Sequence, residues 1–224
     1  MKHISLAIAA VVALALTGCG ESGKKAGLMK DTLQSLVLKK GTPVPTTQAQ
    51  EAAMIRKALT ENPNPSILVQ RLDSPQKSIL VQIAQTGNYA TFATSDRRTM
   101  TLRNGMLSAT RGLPNDLMSS DLRGVAGYIQ GRKPGIAQRV HRYLDGENVT
   151  RNMVFDCLIK PEGVSSQVIA SGRRNVRIMQ ERCLGQDGTQ IQNTYQVDTA
   201  TGRILKAKQW ASPHIGYLTI QSLR

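Results

Sequence analysis

From Ser66 onward, apolar and polar side chains alternate in short segments, and each segment ends in residues that turn the backbone sharply. Alternation sends successive side chains to opposite faces of an extended chain, so one face can be buried only by pairing neighbouring segments into a sheet. Thr99–Thr110 shows the pattern most fully. Asn104-Gly105 supplies the positive backbone dihedrals of a two-residue primed turn, and that turn sets Arg103 opposite Met106, Leu102 opposite Leu107 and Met100 opposite Ala109. Met100, Leu102, Leu107 and Ala109 then form one apolar face.

The same reading extends along the chain. Ile67–Val69, Ile79–Ile83 and Tyr89–Thr94 are expected strands, separated by Pro75 and by Gly87-Asn88. Further hairpins are expected around Asp145–Asn148, Gly172–Asn175 and Asp198–Gly202, and Ile215–Leu223 closes the series. Thr46-Thr47-Gln48 through Leu59 has a capping threonine and apolar residues at helical spacing, and Asn62–Pro65 stops it. These elements predict an all-β fold, mainly antiparallel and barrel-like, with one N-terminal helix. Closure into a barrel removes the exposed edges that an open sheet must otherwise protect.

The N-terminus carries a different signal. Lys2 and His3 precede an apolar run, Ile4–Leu16, of about 13 residues. That is shorter than the roughly 20 residues a membrane-spanning helix needs, so the run reads as the core of a secretory signal. It ends in Leu16-Thr17-Gly18-Cys19, which resembles the lipobox of bacterial lipoproteins. Residues 1–18 are then a removable leader, Cys19 the site of acylation, 19–30 a polar tether and 31–224 a single β-rich domain. More than one acyl chain makes anchoring stable. Gly20 and Glu21 follow the cysteine, without the Asp that would resemble an inner-membrane retention signal. The expected location is the outer membrane, with the domain facing the periplasm.

Export changes the meaning of the charge. The chain carries 29 basic and 15 acidic residues, and loss of Lys2 with the leader moves the formal charge only from +14 to +13. Nucleic acid is the usual partner of so basic a chain, but an exported protein meets anionic lipid headgroups, lipopolysaccharide phosphates or acidic polysaccharide instead. With Cys19 acylated, Cys157 and Cys183 remain, and in an oxidising compartment they pair most simply with each other; two free buried thiols are the alternative. No metal or other cofactor is expected, since His141 and His214 stand far from either cysteine in sequence.

Two stretches complete the reading. Ser95–Thr99 runs through Leu102–Gly105 into Thr110-Arg111-Gly112-Leu113-Pro114-Asn115-Asp116-Leu117, and Asn193–Asp198 leads through Gly202-Arg203-Ile204 to Lys208–Pro213. Together with the lipobox, these resemble the YjbF family of lipoproteins, which includes the GfcB-type capsule polysaccharide lipoproteins. The resemblance covers residues 65–224 and implies a barrel-like domain serving exopolysaccharide or capsule production and export, with no catalytic residue to carry over. The chain departs from the family's tryptophan-rich strand near Tyr89 and Phe92, since Trp210 is its only tryptophan.

The expected function is therefore a non-enzymatic accessory that docks secretion proteins or acidic glycan. Arg97, Arg98, Arg103 and Arg111 gather around one hairpin, and Arg suits bidentate contact with carboxylate or phosphate. As turn residues, Arg97 and Arg98 would instead pair with Asp96. A lipid or lipopolysaccharide carrier is the second reading, since a curved sheet can enclose acyl chains. A glycan hydrolase would need paired carboxylates; Asp96, Asp116 and Asp121 are the candidates, with Asp116 better suited to anchoring the turn after Pro114.

Overall fold

Side-chain alternation resolves into twelve antiparallel strands of one sheet. The computed structural model describes residues 48–144, 149–169 and 172–224. The leader 1–18, Cys19, the tether 19–30, the capping residues Thr46-Thr47 and the turn Asp145–Asn148 lie outside the described residues. In chain order, helix α1 (Gln48–Glu61) precedes β1 (Ser66–Arg71), β2 (Lys77–Thr86), β3 (Tyr89–Ala93), β4 (Thr99–Arg103), β5 (Met106–Arg111) and β6 (Leu117–Asp121). Helix α2 (Arg123–Gly131) leads to β7 (Gly135–Leu144), β8 (Thr150–Ile169), β9 (Gly172–Gly185), β10 (Gln190–Asp198), β11 (Ile204–Ser212) and β12 (Gly216–Ser222).

The strand order is β5-β4-β3-β2-β1-β12-β11-β10-β9-β8-β7-β6. Pairing of β1 with β12, Ile67 opposite Ser222 through Arg71 opposite Leu218, joins the two halves of the chain. Curvature comes from extra residues on single strands: Ile83, Ser108, Met118, Leu205 and Ala211 each interrupt the ladder register. Such bulges bend a strand and increase its twist, and the sheet curls into a nearly closed barrel. β5 and β6 meet without a ladder. Side chains stitch this seam: the Thr110 hydroxyl accepts from the Leu117 amide at 3.0 Å and donates to Asp116 at 2.8 Å. Arg111 donates to the carbonyls of Leu117 and Met118 at 3.1 and 3.2 Å.

Three differences from the sequence reading have physical causes. The Asn104-Gly105 turn has positive φ at both residues, and Arg103–Met106 and Leu102–Leu107 pair as expected. The bulge at Ser108 then sets Met100 opposite Thr110 rather than Ala109, which turns Thr110 inward, where it serves the seam. Gly172–Asn175, expected as a turn, is the first part of β9, so β8 and β9 form one long hairpin. Arg123–Gly131 is a second helix; its own glycines hide it in the sequence, and burial of Val125, Ala126 and Ile129 supplies the stability that propensity withholds. Helix α1 buries none of its side chains. A Glu51–Lys77 ion pair ties it to β2, and the Arg224 guanidinium donates to the carbonyls of Leu59 and Pro63 at its end.

The barrel interior is filled, and part of its filling is charged. Phe155, Ile159, Met179, Val197 and Leu218 pack around a fully buried pair, Arg139 and Glu181, 2.7 Å apart with side chains 1% and 0% exposed. The same carboxylate oxygen accepts from Tyr195 at 2.6 Å and from Asn193 at 2.8 Å, and Asn193 in turn accepts from the Trp210 amide at 2.8 Å. Beside it, Cys157 and Cys183 face each other across β8 and β9 and are joined as a disulfide, Cα to Cα 4.0 Å.

Removing one member of a buried pair strands its partner's charge and costs about 3–5 kcal/mol, whereas replacing both with apolar side chains avoids that penalty. Arg139→Met is expected to lower unfolding free energy by about that amount, and adding Glu181→Leu to recover more than half of it. Urea unfolding of the three proteins checks this: a double variant no more stable than Arg139→Met would mean the loss is packing and not stranded charge.

Candidate functional site

One end of the barrel opens into a cleft of about 400 Å³. Its floor is apolar, formed by Ile67, Phe92, Leu102, Ile204 and Ile220, the inward side chains of five different strands. The rim is made of amides. Gln82 and Gln85 come from β2, Asn88 from the tight turn after it, Asn104 from the β4–β5 turn, and Gln130 from the last turn of α2. Arg203, from the β10–β11 turn, and Arg224 add positive charge, and among the described residues no Asp, Glu, His or Cys lines the cleft.

Local geometry explains why these side chains converge. The Asn104-Gly105 turn closes against β11 so tightly that a Cβ on Gly105 would come within 2.8 Å of Ile204 Cβ. Gln209, buried on β11, holds that turn by accepting from the Leu107 amide at 2.8 Å and donating to the Gly105 carbonyl at 3.1 Å. Asn104 then reaches Gln130 at 3.4 Å, and Gln82 reaches Gln85 at 3.3 Å. These are long contacts between neutral groups, exchanged readily for a ligand's hydroxyls. Arg203 donates to the Arg224 carbonyl at 2.9 Å, whereas the Arg224 guanidinium is engaged at the end of α1.

An amide offers both a donor and an acceptor, the complement of a sugar hydroxyl, which does the same. Apolar floor and polar rim are the general form of a small-molecule site. Neutral amides also make the recognition insensitive to pH. None of these amides was singled out from the sequence. They come from three separate stretches of chain, and only closure of the barrel sets them around one opening.

The sequence-derived site residues are divided by the fold. Arg103 adjoins Asn104 at the cleft end, its guanidinium over the Tyr89 ring at 5.9 Å from the centroid. Arg97 and Arg98 lie in the β3–β4 turn at the other end of β4, where Arg97 has positive φ and Arg98 bonds Asp96 at 2.8 Å. Arg111 sits on the seam. A second, smaller cavity of about 130 Å³ occupies that far end, lined by Arg71, Arg98, Met100, Leu113 and Leu218 among others.

The carboxylates weighed for hydrolysis are each engaged locally. Arg98 and then Thr94 hold Asp96 down at about 2, and Arg123 holds Asp121 down at about 2. Asp116 accepts from the Gly112 and Leu113 amides at 2.7 and 3.1 Å as well as from Thr110, anchoring the turn after Pro114. Cys157, Glu181 and Cys183 bring possible metal-ligating atoms within 4.8 Å of one another, but the sulfurs are joined to each other and Glu181 is taken by Arg139. Trp210 is buried with its ring stacked on His141 at 5.7 Å, away from any sugar.

The comparisons with known proteins follow the fold. The family model described as "Group 4 capsule polysaccharide lipoprotein gfcB, YjbF" matches residues 30–223. The chain belongs to the YjbF family. A crystal structure of the hypothetical lipoprotein YmcC from Escherichia coli K12 is similar at 17% identity, with a TM-score of 0.65 over 82% of this chain and 98% of that one. That likeness concerns the fold. No curated protein matches the chain. Family membership makes this a capsule-associated lipoprotein.

His141 gives the barrel a pH dependence. Its Nδ1 lies 2.8 Å from the Tyr143 hydroxyl, whose proton goes to the Ala211 carbonyl, so Nδ1 is the protonated nitrogen of a neutral ring. Burial, and then the nearby Arg139 charge, push its pKa well below the ordinary value of 6.5. Unfolding restores the ordinary pKa, so the unfolded chain takes up a proton that the barrel refuses, and stability falls as pH drops below about 6.5. Between pH 7 and 5 the loss is expected to be on the order of 1–2 kcal/mol, above the range where Asp96 and Asp121 titrate. His141→Gln should flatten that slope whatever its effect at pH 7; chemical denaturation at the two pH values reads it.

Proposed function

We propose that this chain is a non-enzymatic accessory of exopolysaccharide or capsule production or export, which holds a short stretch of polymer in the amide-rimmed cleft. Acyl chains on Cys19 anchor it to the outer membrane, and the barrel faces the periplasm, where it meets the polymer and the secretion proteins. The donor set of the cleft carries the reading: five neutral amides over an apolar floor, with Arg203 at the edge and, among the described residues, no acidic side chain. Amides match hydroxyls, the floor suits the C–H faces of sugar rings, and an arginine favours a polymer bearing carboxylate or phosphate. Arg103 extends that basic edge; Arg97 and Arg98 form a separate basic turn. Acyl chains, which offer nothing to hydrogen-bond, are a poor match for such a rim, and this favours glycan over a lipid-carrier role.

Soluble polysaccharide fragments from the producing strain, titrated calorimetrically into the protein, test this. Each lost hydrogen bond contributes about 1 kcal/mol, so Asn104→Ala with Gln130→Ala is expected to weaken binding roughly 10- to 30-fold. Arg203→Gln should reduce the salt dependence of binding. Native affinity in the double variant would exclude the cleft. Acyl mass on Cys19, and its loss in Cys19→Ala with release from membranes, tests the anchor.

A further inference from the structure

The β8–β9 hairpin outruns both of its neighbours. Pairing of β7 with β8 ends at Gly135–Ile159, and pairing of β10 with β9 ends at Asp198–Val176. Beyond those points, Lys160–Ser165 is a free edge beside β9, and Ser166–Ile169 and Gly172–Asn175 pair only with each other. This two-stranded ribbon is braced from root to tip. Ile169 and Val176, on one face, are buried with Leu205, the bulged residue of β11. The Asn175 carbonyl accepts from the Thr199 amide at 3.0 Å and from its hydroxyl at 3.2 Å.

The other face is open and has an ordered composition. Val164, Ser166 and Val168 form one column, directly opposite Arg177, Asn175 and Arg173. Val164 is 70% exposed and Val168 59%, high values for branched aliphatic side chains. Neither column contains a carboxylate, and Glu162 is the single acid of the ribbon against Lys160, Arg173, Arg174 and Arg177. Strand addition to the free β8 edge is disfavoured, because Lys160, Pro161 and the register shift between Pro161 and Val164 blunt it.

We propose that this ribbon face docks on an anionic phospholipid surface. The valine column enters the headgroup boundary while the arginines reach lipid phosphates, the arrangement by which amphipathic segments lie on membranes. A lipoprotein is held beside a bilayer, so even a weak contact is made repeatedly, and it would fix how the barrel stands on the membrane. The site is separate from the cleft and does not depend on glycan binding.

The test uses the full mature chain with Cys19→Ser, so that acyl chains do not dominate, in co-sedimentation with phosphatidylcholine vesicles with and without 30% phosphatidylglycerol. Each arginine near an anionic surface contributes about 1 kcal/mol, so Arg173→Gln with Arg177→Gln should weaken binding to the anionic vesicles roughly 30-fold. Val164→Ser with Val168→Ser should weaken it on both compositions. Equal binding with and without phosphatidylglycerol, or anionic-vesicle binding unchanged by the arginine pair, overturns the proposal. So does loss of affinity for acidic polysaccharide with vesicle binding intact, which would make the ribbon a glycan contact. Deuterium exchange of the acylated native protein on the same vesicles reads the contact independently: protection at 160–169 and 172–177 supports it, and protection confined elsewhere refutes it.

Discussion

A charged pair sealed inside the barrel sets the terms for everything around it. Arg139 on β7 and Glu181 on β9 cannot be left without each other, because burial opposes the guanidinium's charge and the carboxylate more than offsets it. Tyr195 and Asn193 of β10 donate to the same carboxylate oxygen, and Asn193 passes the connection to the Trp210 amide on β11. A slip of one residue in any of these strands would turn one of these groups outward and leave the rest unsatisfied. Apolar packing alone tolerates such errors more readily. The charge pair therefore acts on register across β7 and β9, and the disulfide two residues along β9, between Cys157 and Cys183, fixes β8 against β9.

Register on that side determines what the other side can do. With β9 to β11 in place, Gln209 reaches across to hold the Asn104-Gly105 turn, and the turn delivers Asn104 to the cleft rim. The cleft thus lies where β11 meets the β4–β5 turn. At the opposite boundary, β5 and β6 are joined by Thr110, Arg111 and Asp116 side chains instead of a ladder. A sheet curved by bulges does not bring its two ends into hydrogen-bonding register automatically, and side chains bridge the mismatch.

Much of the architecture was legible in the order of residues. Alternation, the Asn-Gly turn and the capping threonines located most strands, α1 and the β4–β5 hairpin up to Leu102–Leu107. What escaped has a common cause, that local preference was overridden by packing. Ser108 bulges because Thr110 is needed inward at the seam, Gly172–Asn175 extends because the long hairpin is braced on Leu205, and the glycine-containing α2 is helical because Val125 and Ile129 are buried. The four arginines chosen for their closeness in sequence end at different places for the same reason: Arg103 and Arg111 sit at opposite ends of a hairpin whose two strands the fold puts to separate uses.

By itself the sequence determined the chemistry of the surfaces: a strand-forming alternation, a basic balance, an apolar run followed by Leu16-Thr17-Gly18-Cys19, and two further cysteines. These are local properties, written in side-chain identity and spacing. Only the tertiary structure decided that Gln82, Asn88, Asn104 and Gln130 surround one opening, and that Val168 and Arg173 face the same side of a free ribbon. Those groupings depend on which strand ends meet when the sheet curls, and that follows from bulges and buried polar bonds between residues distant in the chain.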